Sequence, residues 1–317
     1  MSSIITITAN PAIDVSTQIH RIAPFSKLRC GEARRDPGGG GINVARVLRR
    51  LGVPATALYT AGGLYGELLK GLVEREGIGS LPIPIRGETR EDFTVIETAS
   101  GREFRFVLPG PDLSAEECRA ILEALSDIDV SPGFVVISGS LPPGTAPQLY
   151  VDLVRAAKKK GAQAVLDTSG IALEASLREG VDLVKPNLRE LRELMRAPLE
   201  HEVEWLKAAR ALTTSGQARI VVLTLGEHGA LLTTEQRAWR AHAPKLTPIS
   251  TVGAGDSFLA AIVSCLAAGR SLDEALRYGV AAGTAALLLP GTELCRRDDV
   301  ERLAYDVRLE ELVAAPA

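Results

Sequence analysis

AVLDTSGIALEASLREGVDLVKPN, residues 164–187, holds two short apolar runs, Ala164–Thr168 and Val181–Lys185, on either side of a helical segment over 171–179. Two strands joined through a helix lie parallel, and the crossover is right-handed. The same rhythm continues outward. Upstream come a helix over 114–126, the strand FVVIS (134–138) and a helix over 145–160. Downstream come two helices reaching about 215 and the strand IVVLTL (220–225). This alternation predicts an α/β fold, a mainly parallel sheet with helices on both faces. In such sheets ligands bind beyond the carboxyl ends of the strands. The loops 138–140, 167–169, 185–187 and 224–226 therefore share one edge, where Asp14, Gly39 and Gly253–Asp256 also belong.

The chain has 317 residues, 46% of them hydrophobic, enough for one large domain over 1–317. Segments 15–36 and 87–108 alternate irregularly and read as a β flap, or lid, rather than core; the second is a hairpin turning at Ser100-Gly101. A net charge of −3, with no basic stripe, argues against nucleic acid as a partner. Cys30, Cys118, Cys265 and Cys295 are scattered, which argues against a zinc or disulfide framework and fits a reducing compartment. The start runs straight into IITIT without a basic leader, and no apolar run reaches membrane-spanning length, so the expectation is a cytoplasmic protein with no membrane partner.

Two glycine-rich stretches carry the chemistry. In STVGAGDS (250–257) the glycines leave backbone N–H groups bare before an apolar helix from Phe258. A helix N-terminus favours an anion, and Asp256 places a carboxylate beside it. That pairing suits phosphoryl transfer, while Asp256 as an N-cap is the plainer alternative. In PGGGGIN (37–43) four consecutive glycines allow a ligand close to the main chain, and Asn43 suits a polyol. Neither a dinucleotide fingerprint nor a P-loop occurs. Arg90 and Arg105 on the hairpin, with Lys27, are candidates for an anion clamp or simply solvated surface charges. Asn187 and Glu190 have capping-box spacing, and a carboxylate there also suits a water of hydrated Mg²⁺.

PGGGGINVAR (37–46) and STVGAGDS (250–257), with SGSLPPG, LVKPN and TLGEHGA between them in order, resemble the PfkB (ribokinase-like) sugar kinases over nearly the whole chain. Within that family the sequence is most similar to the minor bacterial 6-phosphofructokinase type. The resemblance implies a ribokinase-like fold and ATP- and Mg²⁺-dependent phosphorylation of D-fructose 6-phosphate at its C1 hydroxyl. It implies Asp256 as general base, with the amides of Gly253, Ala254, Gly255 and Asp256 around the moving phosphoryl group. Asp14, Gly38, Gly39, Asn43 and Ser140 would hold the sugar. Lys27, Arg90 and Arg105 would hold its phosphate, partly across a homodimer made by the flaps. ATP would meet Lys185, Asn187, Thr224, Gly226, Gly229 and segment 280–287, including Val280 and Gly283. Glu190 would serve Mg²⁺, and carbonyls of Ser250, Val252 and Gly291 would take K⁺. The NPAID run (10–14) is closer to 1-phosphofructokinases and tagatose-6-phosphate kinases, which keeps those substrates as alternatives. A catalytically silent sugar-phosphate sensor is the alternative from another class.

Overall fold

The computed structural model describes residues 3–312. Strand β1 (Ser3–Thr8) leads into β2 (Ala12–Ile19), β3 (Arg34–Gly38) and helix α1 (Gly40–Arg50). Then come β4 (Thr56–Ala61), α2 (Gly63–Arg75), β5 (Gly79–Pro84) and the hairpin of β6 (Arg90–Glu97) and β7 (Arg102–Val107). The alternating region contains α3 (Ala115–Asp127), β8 (Gly133–Ser138), α4 (Gln148–Lys159), β9 (Gln163–Asp167), α5 (Gly170–Leu177) and β10 (Val181–Val184). It ends with α6 (Leu188–Met195), α7 (Glu202–Thr214) and β11 (Ala218–Thr224). The remainder is a turn at Gly226–His228, β12 (Ala230–Thr233), β13 (Ala238–His242), α8 (Ala254–Ala267), α9 (Leu272–Ala286), α10 (Arg297–Ala304) and β14 (Arg308–Leu312).

Ten strands form the main sheet in the order β14-β13-β12-β11-β10-β9-β8-β1-β4-β5. From β5 to β11 every neighbouring pair is parallel, as the alternation predicts, and β12 to β14 add an antiparallel edge. The expected alternation stops at β11 because β12 and β13 are only four and five residues long and follow by tight turns. Buried side chains of α3 to α7 cover one face of the sheet. The other face is covered by α1, α8, α9 and α10. Helix α8 is apolar nearly all round, with Leu259 to Val263 fully buried, because it lies in the interior of that layer.

A second sheet, β3-β2-β6-β7, is built from the two segments read as a flap, and the strands of the first segment start at Ala12 and end at Gly38, beyond the expected 15–36. Asp14, which the sequence puts at the ligand edge just past β1, lies within β2, because the alternation of Ile13 and Val15 with polar neighbours fits a half-buried strand. Its cross-strand partners are Asp36 on β3 and Asp92 on β6. Three carboxylates therefore share one rung, an arrangement that destabilises unless countercharges intervene. Arg34 and Arg90 supply them, at 2.9 Å from Asp36 and 2.7 Å from Asp92 respectively.

Candidate active site

Helix α8 begins at Ala254, four residues earlier than the apolar run indicates. Gly253 is its N-cap, in the left-handed conformation at φ 72°, and no side chain caps the helix. This overturns the N-cap reading of Asp256, which lies in the first turn. The earliest backbone bond runs from the Ser257 N–H to the Gly253 carbonyl, 2.9 Å. The amides of Ala254, Gly255 and Asp256 therefore have no intrahelical acceptor and present their dipoles outward. With its oxygens free of capping, Asp256 accepts a hydrogen bond from Asn43 Nδ2 at 2.9 Å.

Asn43 is placed by the other glycine stretch. Gly39, at φ 112°, turns β3 into α1, a conformation that favours glycine. The Ile42 N–H donates to Thr8 Oγ1 at the end of β1, 3.0 Å, which locks the helix start against the main sheet. One residue further, Asn43 faces α8. Between them lies a polar cavity of about 330 Å³ lined by Asp14, Gly39, Gly40, Asn43, Arg90, Asp92, Arg105, Ser138–Ser140, Asp167–Ser169, Glu190, Val252, Gly253, Gly255 and Asp256. A second, mostly apolar cavity of about 900 Å³ lies on the other side of α8. Asn187, Thr224, Gly226–Gly229, Ala243–Leu246, Pro248, Thr251, Ala254, Phe258, Val280, Gly283, Thr284 and Leu287 line it. Gly255 lines both, so the cavities meet at the uncapped turn. A Cβ on Gly255 would lie 3.6 Å from Lys185 Nζ, which puts that ammonium at the junction.

Lys185 is buried and pairs with Asp167 at 3.0 Å. Burial works against its charge, yet Asp167, with Glu190 and Asp256, holds its pKa above the usual lysine value. Burial pushes Asp256 up to about 6, and the negative charge of Asp167 adds to the rise; the Asn43 amide, Lys185 and Arg105 pull it back. Asp14 is raised to about 7 by burial and by Asp92 across the rung, against Arg46, Arg105 and Arg90. Glu190 is raised by burial, opposed by the Asn187 N–H and Lys185. Among carboxylates, values near neutrality mark groups suited to proton transfer.

The sequence-derived candidates divide clearly. Asp14, Gly39, Asn43, Arg90, Arg105, Ser140, Glu190, Val252, Gly253, Gly255 and Asp256 come together at the polar cavity. Asn187, Thr224, Gly226, Gly229, Ala254, Val280 and Gly283 line the apolar one. Asn187 and Glu190 form the complete capping box, at 2.8 and 2.9 Å, and this uses only Oε2 of Glu190. Gly38 lines neither cavity; a Cβ there would collide with the Asp14 carboxyl, so its bareness makes room for that side chain. Lys27 is exposed in the loop between β2 and β3 and does not join Arg90 and Arg105 within the chain. Arg90 is largely committed to Asp92 and to the carbonyls of Leu108 (3.0 Å) and Asn10 (3.3 Å), whereas Arg105 is exposed at the rim. Ser250 and Val252 are buried before α8. Ser250 Oγ donates to Glu103 of β7 at 2.6 Å, and Gly291 packs against Ser16 of β2.

Asp167 and Asp92 were not singled out from the sequence. Asp167 ends β9 beside Lys185, which follows β10, and its position at the ligand edge was the available signal. Asp92 follows Arg90 by two residues, so the two side chains share a face of β6; the hairpin reading weighed only the arginines.

The fold and the two cavities, one polar and one apolar, meeting at an uncapped helix turn beside a carboxylate, define a phosphotransferase of small molecules. Residues 3–299 match the model of the pfkB family carbohydrate kinases, and the chain belongs to that family. It is 46% identical over 299 residues to ATP-dependent 6-phosphofructokinase isozyme 2 of Mycobacterium tuberculosis, covering 94% of this chain and 88% of the relative. To the protein of the same name in Escherichia coli K12 it is 42% identical over 304 residues, 96% and 98% of the two chains. The crystal structure of E. coli phosphofructokinase-2 in complex with substrates and products superposes with a TM-score of 0.92 at 41% identity, over 96% of this chain and 99% of that one. Among the described residues no helix is long and apolar enough to cross a membrane.

Proposed function

We propose that the chain is a 6-phosphofructokinase that transfers the γ-phosphoryl group of ATP to the C1 hydroxyl of D-fructose 6-phosphate, giving fructose 1,6-bisphosphate. The observation that carries this reading is the meeting of the two cavities at Gly255, with Asp256 on the polar side and the arginines of the small sheet across from it. ATP occupies the apolar cavity with its phosphates directed at the α8 turn and Lys185. The sugar lies in the polar cavity, its hydroxyls on Asp14, Gly39, Asn43 and Ser140, and its phosphate on Arg105 and Arg90.

In the transfer, Asp256 accepts the C1 hydroxyl proton as the oxygen attacks the γ-phosphorus. A carboxylate raised to about 6 is ionised at neutral pH and is a stronger base than an ordinary aspartate. The N–H groups of Ala254, Gly255 and Asp256 donate to the equatorial oxygens of the moving group, and Lys185 balances the charge developing toward ADP. Mg²⁺ fits the donor set. Asp14, Asp92, Asp167, Glu190 and Asp256 outnumber Arg90, Arg105 and Lys185 at the cavity, and no protein group donates to the second Glu190 oxygen among the described residues. No three His, Cys, Asp or Glu side chains there form a direct ligand cluster, which agrees with an ion held through waters and phosphate oxygens. Such an ion neutralises the ATP phosphates when bound. K⁺ on the carbonyls of Ser250, Val252 and Gly291, with the Glu103 carboxylate close by, belongs to the same reading. So does a cytoplasmic, single-domain enzyme whose small sheet is a lid and joins a second copy, bringing Lys27 of one chain toward the phosphate held by the other.

Coupled assays with fructose 6-phosphate, fructose 1-phosphate and tagatose 6-phosphate test the substrate. Fructose 6-phosphate should give the highest kcat/KM, and a tenfold preference for either rival would reject the assignment. Binding of all three without turnover would identify a silent sensor instead. Arg105→Ala removes one charge-assisted contact to phosphate, worth about 1.5–3 kcal/mol. KM for fructose 6-phosphate should rise about 10- to 100-fold on that basis, while KM for unphosphorylated fructose should hardly move. An equal effect on both sugars would remove Arg105 from the clamp.

A further inference from the structure

Arg46 lies on α1, and its side chain is fully buried. A guanidinium removed from water is expensive unless it is paired and hydrogen-bonded. Here it donates from Nη1 to the Pro37 carbonyl (3.1 Å) and to Asn43 Oδ1 (3.2 Å), and from Nη2 to Glu76 at 2.7 Å. Asp36 stands 3.7 Å from Nη2, and Nε is left without a partner. Stability alone would be served as well by an apolar side chain of similar volume.

The contact with Asn43 explains what the charge does. An asparagine amide has an acceptor end and a donor end, and the groups on its two sides, Arg46 and Asp256, set which end faces α8. The guanidinium can only donate, so it holds Oδ1; the NH₂ group is then left to face Asp256, whose carboxylate can only accept. With the amide reversed, oxygen would meet carboxylate and NH₂ would meet guanidinium. We infer that Arg46 is a positioning residue for phosphoryl transfer, acting through Asn43 to hold the Asp256 carboxylate in place, with Glu76 and Asp36 anchoring the guanidinium from behind. This inference rests on Asp256 being the base. Arg46 also acts on the sugar side, since its charge restrains the rise in the Asp14 pKa. The charged groups acting on Asp256 besides this relay are Asp167, Lys185 and Arg105.

The experiment compares Arg46→Lys, Asn43→Ala and the double variant, with kcat measured across pH 5 to 9 and KM for both substrates. Lysine keeps the charge but cannot reach Pro37, Asn43 and Glu76 together. Misplacement of a reacting group by about 1 Å costs up to about 10²-fold, so Arg46→Lys should lower kcat about 10- to 100-fold. KM for ATP should stay near its original value, and the acid limb of the kcat profile should move. In the Asn43→Ala background the lysine substitution should cost nothing further, because the relay is already cut. Additive losses, or an unchanged kcat profile in folded Arg46→Lys, would overturn the inference. If Arg46→Lys fails to fold, Arg46→Met/Glu76→Leu removes the buried pair together while Arg34 still neutralises Asp36, and the same readouts apply. Asp256→Asn run in parallel separates the two readings. Retained turnover there rejects the base itself, whereas lost turnover with normal Arg46 variants rejects only the relay.

Discussion

Asp256→Asn should lose about 10²–10⁴ of kcat, the usual contribution of a positioned general base, while binding fructose 6-phosphate and ATP almost as before. The asparagine keeps the size of the side chain and still offers an oxygen to Asn43. The same substitution should stabilise the ligand-free protein at neutral pH. A carboxylate whose folded pKa is raised, here to about 6, favours the folded state at acid pH, and that contribution disappears as pH rises through 6. At pH 8 the charged Asp256 therefore costs about 3 kcal/mol, so the variant should melt about 4–5 °C higher. Below about pH 4 the two proteins should melt together. Thermal melts at pH 4 and pH 8 beside single-turnover kinetics check both halves. Near-normal kcat rejects the base, and a melting difference independent of pH rejects the burial account of its pKa.

Lys185→Met is expected to fail differently. It leaves Asp167 without its partner at 3.0 Å, and breaking a buried pair on one side costs about 3–5 kcal/mol. Turnover should fall together with stability, and the acid limb of the kcat profile should move to higher pH because Lys185 no longer stabilises the charge on Asp256. Adding Asp167→Asn separates the causes. The double variant should regain most of the lost stability but not the activity toward ATP. Recovery of activity along with stability would make the lysine a folding element only.

Much of the fold was legible because a parallel sheet repeats one unit, and the segment from β8 to β11 shows it without interruption. The glycine stretches were legible for another reason: a turn such as Gly39 at φ 112° leaves glycine in the sequence whatever surrounds it. What escaped depends on pairing across distance. Asp14 reads as a loop residue until its strand neighbours Asp36 and Asp92 are known. Arg46 looks like a solvated helix arginine until Glu76, thirty residues on, is seen against it. The start of α8 was misplaced because Gly255 and Asp256 are weak helix formers and the apolar run begins only at Phe258.

The ownership of the two cavities has a further consequence. Every residue lining the apolar cavity, from Asn187 to Leu287, lies outside the small sheet. The polar cavity draws Asp14, Arg90, Asp92 and Arg105 from the small sheet and the rest of its wall from around the main one. Any rotation of one sheet against the other would split the acceptor compartment down its middle and leave the nucleotide compartment whole. On the proposed assignment of ligands, ATP would be held by a body not yet assembled for reaction. The sugar, by bridging the two sheets, would be the piece that completes the enzyme around itself, and in its absence water would find a bound nucleotide but only half of a catalyst.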